Sequence, residues 1–129
     1  MPFVHGNGII HISQIDACTE VDDPLYEMKK NPRTSTEDKI GKHIANLVDD
    51  GATLQMGIGG IPDAALSYLC NHKNLGIHTE MCSDGIIDLV ENGVINGSKK
   101  ETDPGKIVSG FAFGTKRIYD FIDKSKSVI

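Results

Sequence analysis

At 129 residues, with 39% apolar content, 5% aromatic content and no Trp, the chain is long enough for one core and suits an aliphatic α/β interior better than an aromatic-rich β-sandwich. Thirteen basic residues against eighteen acidic ones leave a formal charge of −5 and no basic patch, which argues against a nucleic-acid partner. No apolar run reaches the roughly 18 residues of a membrane span, and Met1 is not followed by a charged leader with an apolar signal core. The expectation is a soluble, cytoplasmic protein without a membrane partner, or one of a mitochondrion or related organelle if the source is eukaryotic. Cys18, Cys70 and Cys82 lie far apart with no CxxC pair, the pattern of reduced thiols.

In chain order, GIIHISQI at residues 8–15 reads as a strand, with Ile10 and Ile12 on one face. Residues 16–34 carry two prolines, clustered charge and no period, and read as a linker or extended crossing segment. From Ser35 the chain becomes regular. Ser35, with Asp38 three residues on, suits a helix start, and Ile40, Ile44, Leu47 and Val48 fall on one helical face before Gly51. ATLQMGI follows as a strand and Gly57-Ile58-Gly59-Gly60 as a tight turn. Pro62 and Asp63 suit the first turn of a helix running to Asn71. Residues 77–81 form the next strand. Ser83 caps a helix carrying Ile86, Leu89 and Val90 that ends at Gly93. Residues 106–113 form a third strand, and Thr115 opens a helix through Ile122. This αβαβαβα order implies α/β architecture, an open parallel sheet with flanking helices. Three strands make a thin sheet, so the chain reads as an internal slice of a larger protein, weakly stable or self-associating by itself.

One residue stands out. Glu80 interrupts the apolar run GIHTEMCSDG near the end of its strand. In a parallel sheet the carboxyl ends of the strands share one edge, where open α/β sheets bind ligands. The GIGG turn follows the preceding strand, so if the two strands are neighbours, about 4.8 Å apart, turn and carboxylate face one crevice. Glycines let backbone approach a ligand closely, and the N–H groups that begin the Pro62 helix favour an anion. The plainer readings are a tight strand-to-helix turn and a surface or capping carboxylate. Two sharper alternatives stand beside them. Gly57-x-Gly59 with Glu80 21 residues after Gly59 copies dinucleotide-binding spacing, although Pro62 occupies the third glycine position. His78, Glu80 and Cys82 alternate onto one strand face as metal ligands could, but no second ligand cluster accompanies them. His78 reads better as a packing or hydrogen-bonding neighbour.

The blocks HGNGIIHISQID, VDDPLYE, GATLQMGIGGIPDAAL, LGIHTEMCSDGIIDLVENGVI and PGKIVSGFAFGTKRIYDFID together resemble the acetyl-CoA hydrolase/transferase family, most nearly its 4-hydroxybutyrate and butyrate:acetate CoA-transferase branch. The resemblance covers essentially the whole chain. It implies an incomplete CoA-transferase fold, with residues 1–15 as the end of a preceding α/β domain, 16–34 as connector and 35–129 as the first part of a second domain. It implies that Glu80 is a nucleophile carrying CoA as a glutamyl thioester, and that Gly57, Ile58, Gly59, Gly60 and Ile61 contact CoA. Cys82 departs from the family pattern, in which a larger apolar residue is usual. A later GGQ-type glycine block and the N-terminal domain that shapes the acceptor pocket are expected outside this chain. The resemblance further implies acyl-CoA and short-chain carboxylic acids as partners, coenzyme A as substrate with no permanently bound cofactor, and association into a homo-oligomer or with the remainder of the enzyme. Acyl-CoA hydrolysis at the same site, or a non-catalytic CoA- or dinucleotide-binding fragment, are the other readings. Calorimetric titration separates the cofactor readings: CoA is expected to bind, and binding of NAD without CoA overturns the assignment.

Overall fold

The computed structural model describes residues 1–6, 8–29 and 31–129; Asn7 and Lys30, the latter within the expected connector, lie outside the described residues. The elements are α1 (Ser35–Ala45), β1 (Thr53–Leu54), α2 (Gly60–Ser67), β2 (Gly76–Cys82), α3 (Ile87–Glu91), β3 (Val108–Ala112) and α4 (Lys116–Ile122). The sheet order is β1-β2-β3, and both pairings are parallel, as the alternation of helix and strand requires. The apolar core centres on Leu66, Leu69, Leu75, Ile77, Ile86 and Ile118, each almost fully buried. No helix among the described residues is long and apolar enough to cross a membrane.

Several expected boundaries move, each for a local reason. Residues 8–15 are not a strand. Ile12–Gln14 form one 3-10 turn, closed by a reciprocal cap between His11 and Gln14, and Ile10 and Ile12 stay exposed without a partner strand. The cap of α1 is Thr34, one residue earlier than expected. Its hydroxyl accepts from Glu37 N–H at 3.2 Å while the Glu37 carboxylate accepts from Thr34 N–H at 2.7 Å. The buried stripe of α1 is Gly41 and Ala45, whereas Ile40, Ile44 and Leu47 are exposed. A Cβ on Gly41 would lie 2.6 Å from the Ala64 Cβ, so α1 and α2 pack nearly backbone to backbone. The α2 helix stops at Ser67 rather than Asn71, and β3 is trimmed to five residues.

The segment 16–34 has no helix or strand among its described residues. It crosses the surface and is tied down at Tyr26, Met28 and Arg33. The Tyr26 ring stacks on Phe113 at 5.9 Å, Met28 N–H donates to Gly114 O at 2.8 Å, and Arg33 donates to Ser67 Oγ at 2.6 Å. On the far side of β3, residues 127–129 run parallel to it: Ile129 N–H donates to Ile107 O, and Ser109 N–H donates to Ile129 O.

Lys100 is buried at the other end of the sheet. It is 6% exposed, and its ammonium donates to Ile77 O at 3.0 Å and Lys106 O at 2.7 Å. Burial pulls its pKa below the ordinary lysine value, with the negative charge of Asp103 opposing that shift. Its stem lies over Gly76, where a Cβ would sit 2.5 Å from Lys100 Cγ. Lys100→Ala is expected to cost about 2–4 kcal/mol, because two strand-end carbonyls lose a charged donor and a void replaces the stem. A urea midpoint unchanged from that of the parent protein would refute this.

Candidate active site

The site is assembled at the carboxyl edge of the sheet. Ile77 and Thr79 of β2 point into the core and are buried, while His78 and Glu80 point away and are exposed. Alternation thus presents the Glu80 carboxylate to solvent near the end of its strand. Cys82, which alternation would place with them, is instead buried, 1% exposed.

The row of residues across the sheet at Glu80 follows from the pairings. On one side, Thr79 pairs with Ser109 and Met81 with Phe111, which sets Glu80 beside Gly110. On the other, Thr53 pairs with Gly76 and Leu54 with Ile77; the same register carried forward sets Met56 beside Thr79 and Gly57 beside Glu80. The regular β1 ladder stops at Leu54, far short of the seven-residue strand expected from ATLQMGI. The Thr79 hydroxyl replaces it. It accepts from Met56 N–H at 2.9 Å and lies 2.9 Å from the carbonyl oxygens of both Met56 and Met81, either of which can take its hydrogen. A side-chain group thereby fastens the chain entering the glycine turn to the residue preceding Glu80.

The turn itself is built as expected, with one change. Gly59 has φ +121°, which disfavours any side chain, and nothing lies within 4 Å of where its Cβ would be. Gly57 also has room: a Cβ there would meet only Pro62 Cγ, at 3.7 Å. Gly60, however, abuts the Glu37 carboxylate, which would collide with any Cβ placed there. The first turn of α2, read from sequence as favourable to an anion, already has a carboxylate against it. The Thr34 backbone N–H and then its hydroxyl hold Glu37 below the ordinary carboxylate pKa, which keeps it charged.

Ser83 and Asp84 brace the site from beneath. Ser83 precedes the 3-10 turn Asp84–Ile86 but makes no side-chain cap; its hydroxyl donates instead to Asp63 of α2 at 3.1 Å. The Asp84 carboxylate is buried and accepts from Thr115 N–H at 3.0 Å and Thr115 O–H at 2.7 Å. A Cβ on Gly114 would lie 2.6 Å from Asp84 Oδ2, and one on Gly85 2.7 Å from Leu66 Cδ1. The SDG block is therefore a knot joining β2 to α2 and to the start of α4. A serine-aspartate pair facing a later Gly-Thr pair was the available signal for this role. Among the described residues, no three His, Cys, Asp or Glu side chains gather closely enough to hold a metal ion. Burial raises the Cys82 thiol above its ordinary pKa, against a smaller opposite pull from the Ser109 hydroxyl, so it is a protonated neighbour and not a competing nucleophile. Iodoacetamide at neutral pH is expected to modify Cys18 and Cys70, which are exposed, and to spare Cys82; peptide mass mapping that found Cys82 alkylated as fast as the others would contradict this.

With this geometry in place, comparison with known proteins is specific. No protein-family model matches the chain. It is 50% identical over 129 residues to the succinyl-CoA:acetate/propanoyl-CoA:succinate CoA transferase of Fasciola hepatica, which covers 99% of this chain and 27% of that protein. It is 51% identical over 128 residues to the 4-hydroxybutyrate coenzyme A transferase of Clostridium kluyveri, covering 99% and 30% respectively. Among solved structures it resembles the 4-hydroxybutyrate CoA-transferase of Porphyromonas gingivalis, with TM-score 0.92, 47% identity and coverage of 99% of this chain and 33% of that one. It also resembles RipA from Yersinia pestis, with TM-score 0.91, 38% identity and coverage of 99% and 30%. The chain spans about 30% of the length of such relatives. Over its whole length, then, it is a close homologue of one segment of 4-hydroxybutyrate CoA-transferase and related CoA-transferases.

Proposed function

We propose that this chain supplies the nucleophile and part of the CoA-binding surface of an acyl-CoA:carboxylate CoA-transferase. The observation that carries this reading is an exposed carboxylate, Glu80, at the carboxyl end of a central parallel strand, beside a glycine turn with open space at Gly59. The names of the curated homologues, among them CoA-transferases of 4-hydroxybutyrate, of cyclohexane-1-carboxylate and of butyryl-CoA with acetate, support it.

In the proposed reaction Glu80 attacks the thioester carbonyl of an acyl-CoA. The C–S bond breaks, the CoA thiolate leaves with the electron pair, and a mixed anhydride of Glu80 and the acyl group remains. The thiolate then attacks the glutamyl carbonyl and expels the original acid as its carboxylate, leaving CoA on Glu80 as a thioester. A second carboxylate attacks that thioester and the two steps run in reverse, releasing a new acyl-CoA and free Glu80. Splitting one transfer into two near-isoenergetic exchanges is the benefit of covalent catalysis, and it implies ping-pong kinetics. Water in place of the second acid would make the outcome hydrolysis, so keeping water from the thioester decides the yield of transfer. Residues 57–61 would hold CoA against the turn, with backbone approach made possible by the missing side chains.

Glu80→Gln, in a full-length enzyme carrying this segment, is expected to lower the transferase rate ~10³-fold or more with the fold unchanged, because the amide is isosteric but far less nucleophilic. Glu80→Asp draws the attacking oxygen back by about 1 Å, an error that can cost ~100-fold. Incubation of the parent enzyme with acyl-CoA and no acceptor should leave CoA on Glu80; borohydride reduces that thioester to an alcohol, and peptide mapping finds it at residue 80. Exchange by the Gln variant at near the parent rate would make Glu80 a bystander.

A further inference from the structure

The two faces of the crevice are unequal. On the β1 side of Glu80 stand Gly57 and the glycine turn. On the β3 side stands Gly110, directly beside Glu80 in the register and exposed. The two strands approach so closely there that a Cβ on Gly110 would lie 2.9 Å from the Glu80 carbonyl oxygen. Gly110, the β3 neighbour of Glu80, has no side chain, and Gly57, which the β1 register would reach if carried past Leu54, has none either.

We infer that Gly110 is a specificity-determining residue: its missing side chain makes room on the β3 side of Glu80 for the acyl group and, in the second half-reaction, for the incoming carboxylic acid. This inference rests on the function proposed for Glu80. Its logic is the geometry of attack on a thioester. The carbonyl carbon reached by Glu80 bears sulfur on one side and the acyl chain on the other. If the thiol end of CoA enters from the glycine turn beside β1, the acyl chain is directed toward β3. The residue of β3 that meets it on the Glu80 face is Gly110, since Ser109 and Phe111 pair with Thr79 and Met81 and turn their side chains to the other face. A side chain at position 110 would narrow the space left for large acyl groups more than for small ones.

The test is Gly110→Ala in a full-length enzyme carrying this segment, assayed with acetyl-CoA and with cyclohexanecarboxyl-CoA. The alanine methyl crowds the Glu80 carbonyl, so some loss with every substrate is expected. The inference requires in addition that kcat/KM for the ring substrate fall about tenfold further than for acetyl, in the range that one misplaced methyl group costs in a pocket. A uniform loss would make Gly110 a glycine of close strand packing only, and no loss would remove it from the site; either overturns the inference. A measurement on the unaltered enzyme keeps the question open to refutation should the variant fail to fold. A carboxylic acid acceptor bearing a diazirine, photolysed on the enzyme, should label the peptide of residues 109–112, whereas labelling confined to residues 57–61 refutes the inference. Glu80→Gln run in parallel separates the two hypotheses. If that variant retains exchange, the function proposed for Glu80 fails; if it is inactive while Gly110→Ala treats both substrates alike, only the role of Gly110 fails.

Discussion

The parallel pairing of β2 with β3, Thr79 against Ser109 and Met81 against Phe111, sets where Glu80 stands and what stands beside it. A shift of one residue would turn Glu80 toward the core, where Ile77 and Thr79 now lie, and would bring a side chain into the place of Gly110. That register is protected at its end by the buried Asp84 carboxylate, which takes two hydrogen bonds from Thr115 just beyond β3. The same aspartate therefore ties the two strands together one step past the site. A buried carboxylate with two donors resists being pulled away, because freeing it would leave charge without a partner.

The other flank is held by different means. Backbone pairing between β1 and β2 covers two residues of β1, after which the Thr79 hydroxyl accepts from the Met56 N–H and lies within hydrogen-bond reach of its C=O. Holding the strand by a side chain in place of a ladder allows the chain to leave the sheet plane immediately and enter the glycine turn. Thr79 is itself 6% exposed, so those hydrogen bonds are sheltered from water.

Much of this was legible in the sequence because it is written locally. The order of elements from Ser35 onward, the neighbouring strands and the oddity of a carboxylate in GIHTEMC all follow from period and residue type. The α1 cap lies one residue before Ser35 because Thr34 with Glu37 makes the full reciprocal capping box, whereas Asp38 is a shorter partner for Ser35. Residues 8–15 alternate like a strand, but alternation cannot supply a partner strand, and the reciprocal cap between His11 and Gln14 prevails. Ile40 and Ile44 are exposed for a related reason: the closest α1–α2 approach is made by the smallest residue, Gly41 against Ala64 and the Ala65 backbone. Gly110 had no sequence signal at all. Its place beside Glu80 is a matter of register between strands thirty residues apart, and register is decided by tertiary hydrogen bonds.

The closeness of α1 and α2 has a mechanical consequence. With the Gly41 backbone seated against Ala64 and the Glu37 carboxylate seated against Gly60, neither helix can slide or roll without displacing the other. Glu37 is also fastened to Thr34, the residue at which the connector ends. The end of the connector, α1 and the first turn of α2 are thus joined by direct contacts, Thr34 to Glu37 and Glu37 to Gly60, so a side chain added at Gly41 or Gly60 would have to push the two helices apart.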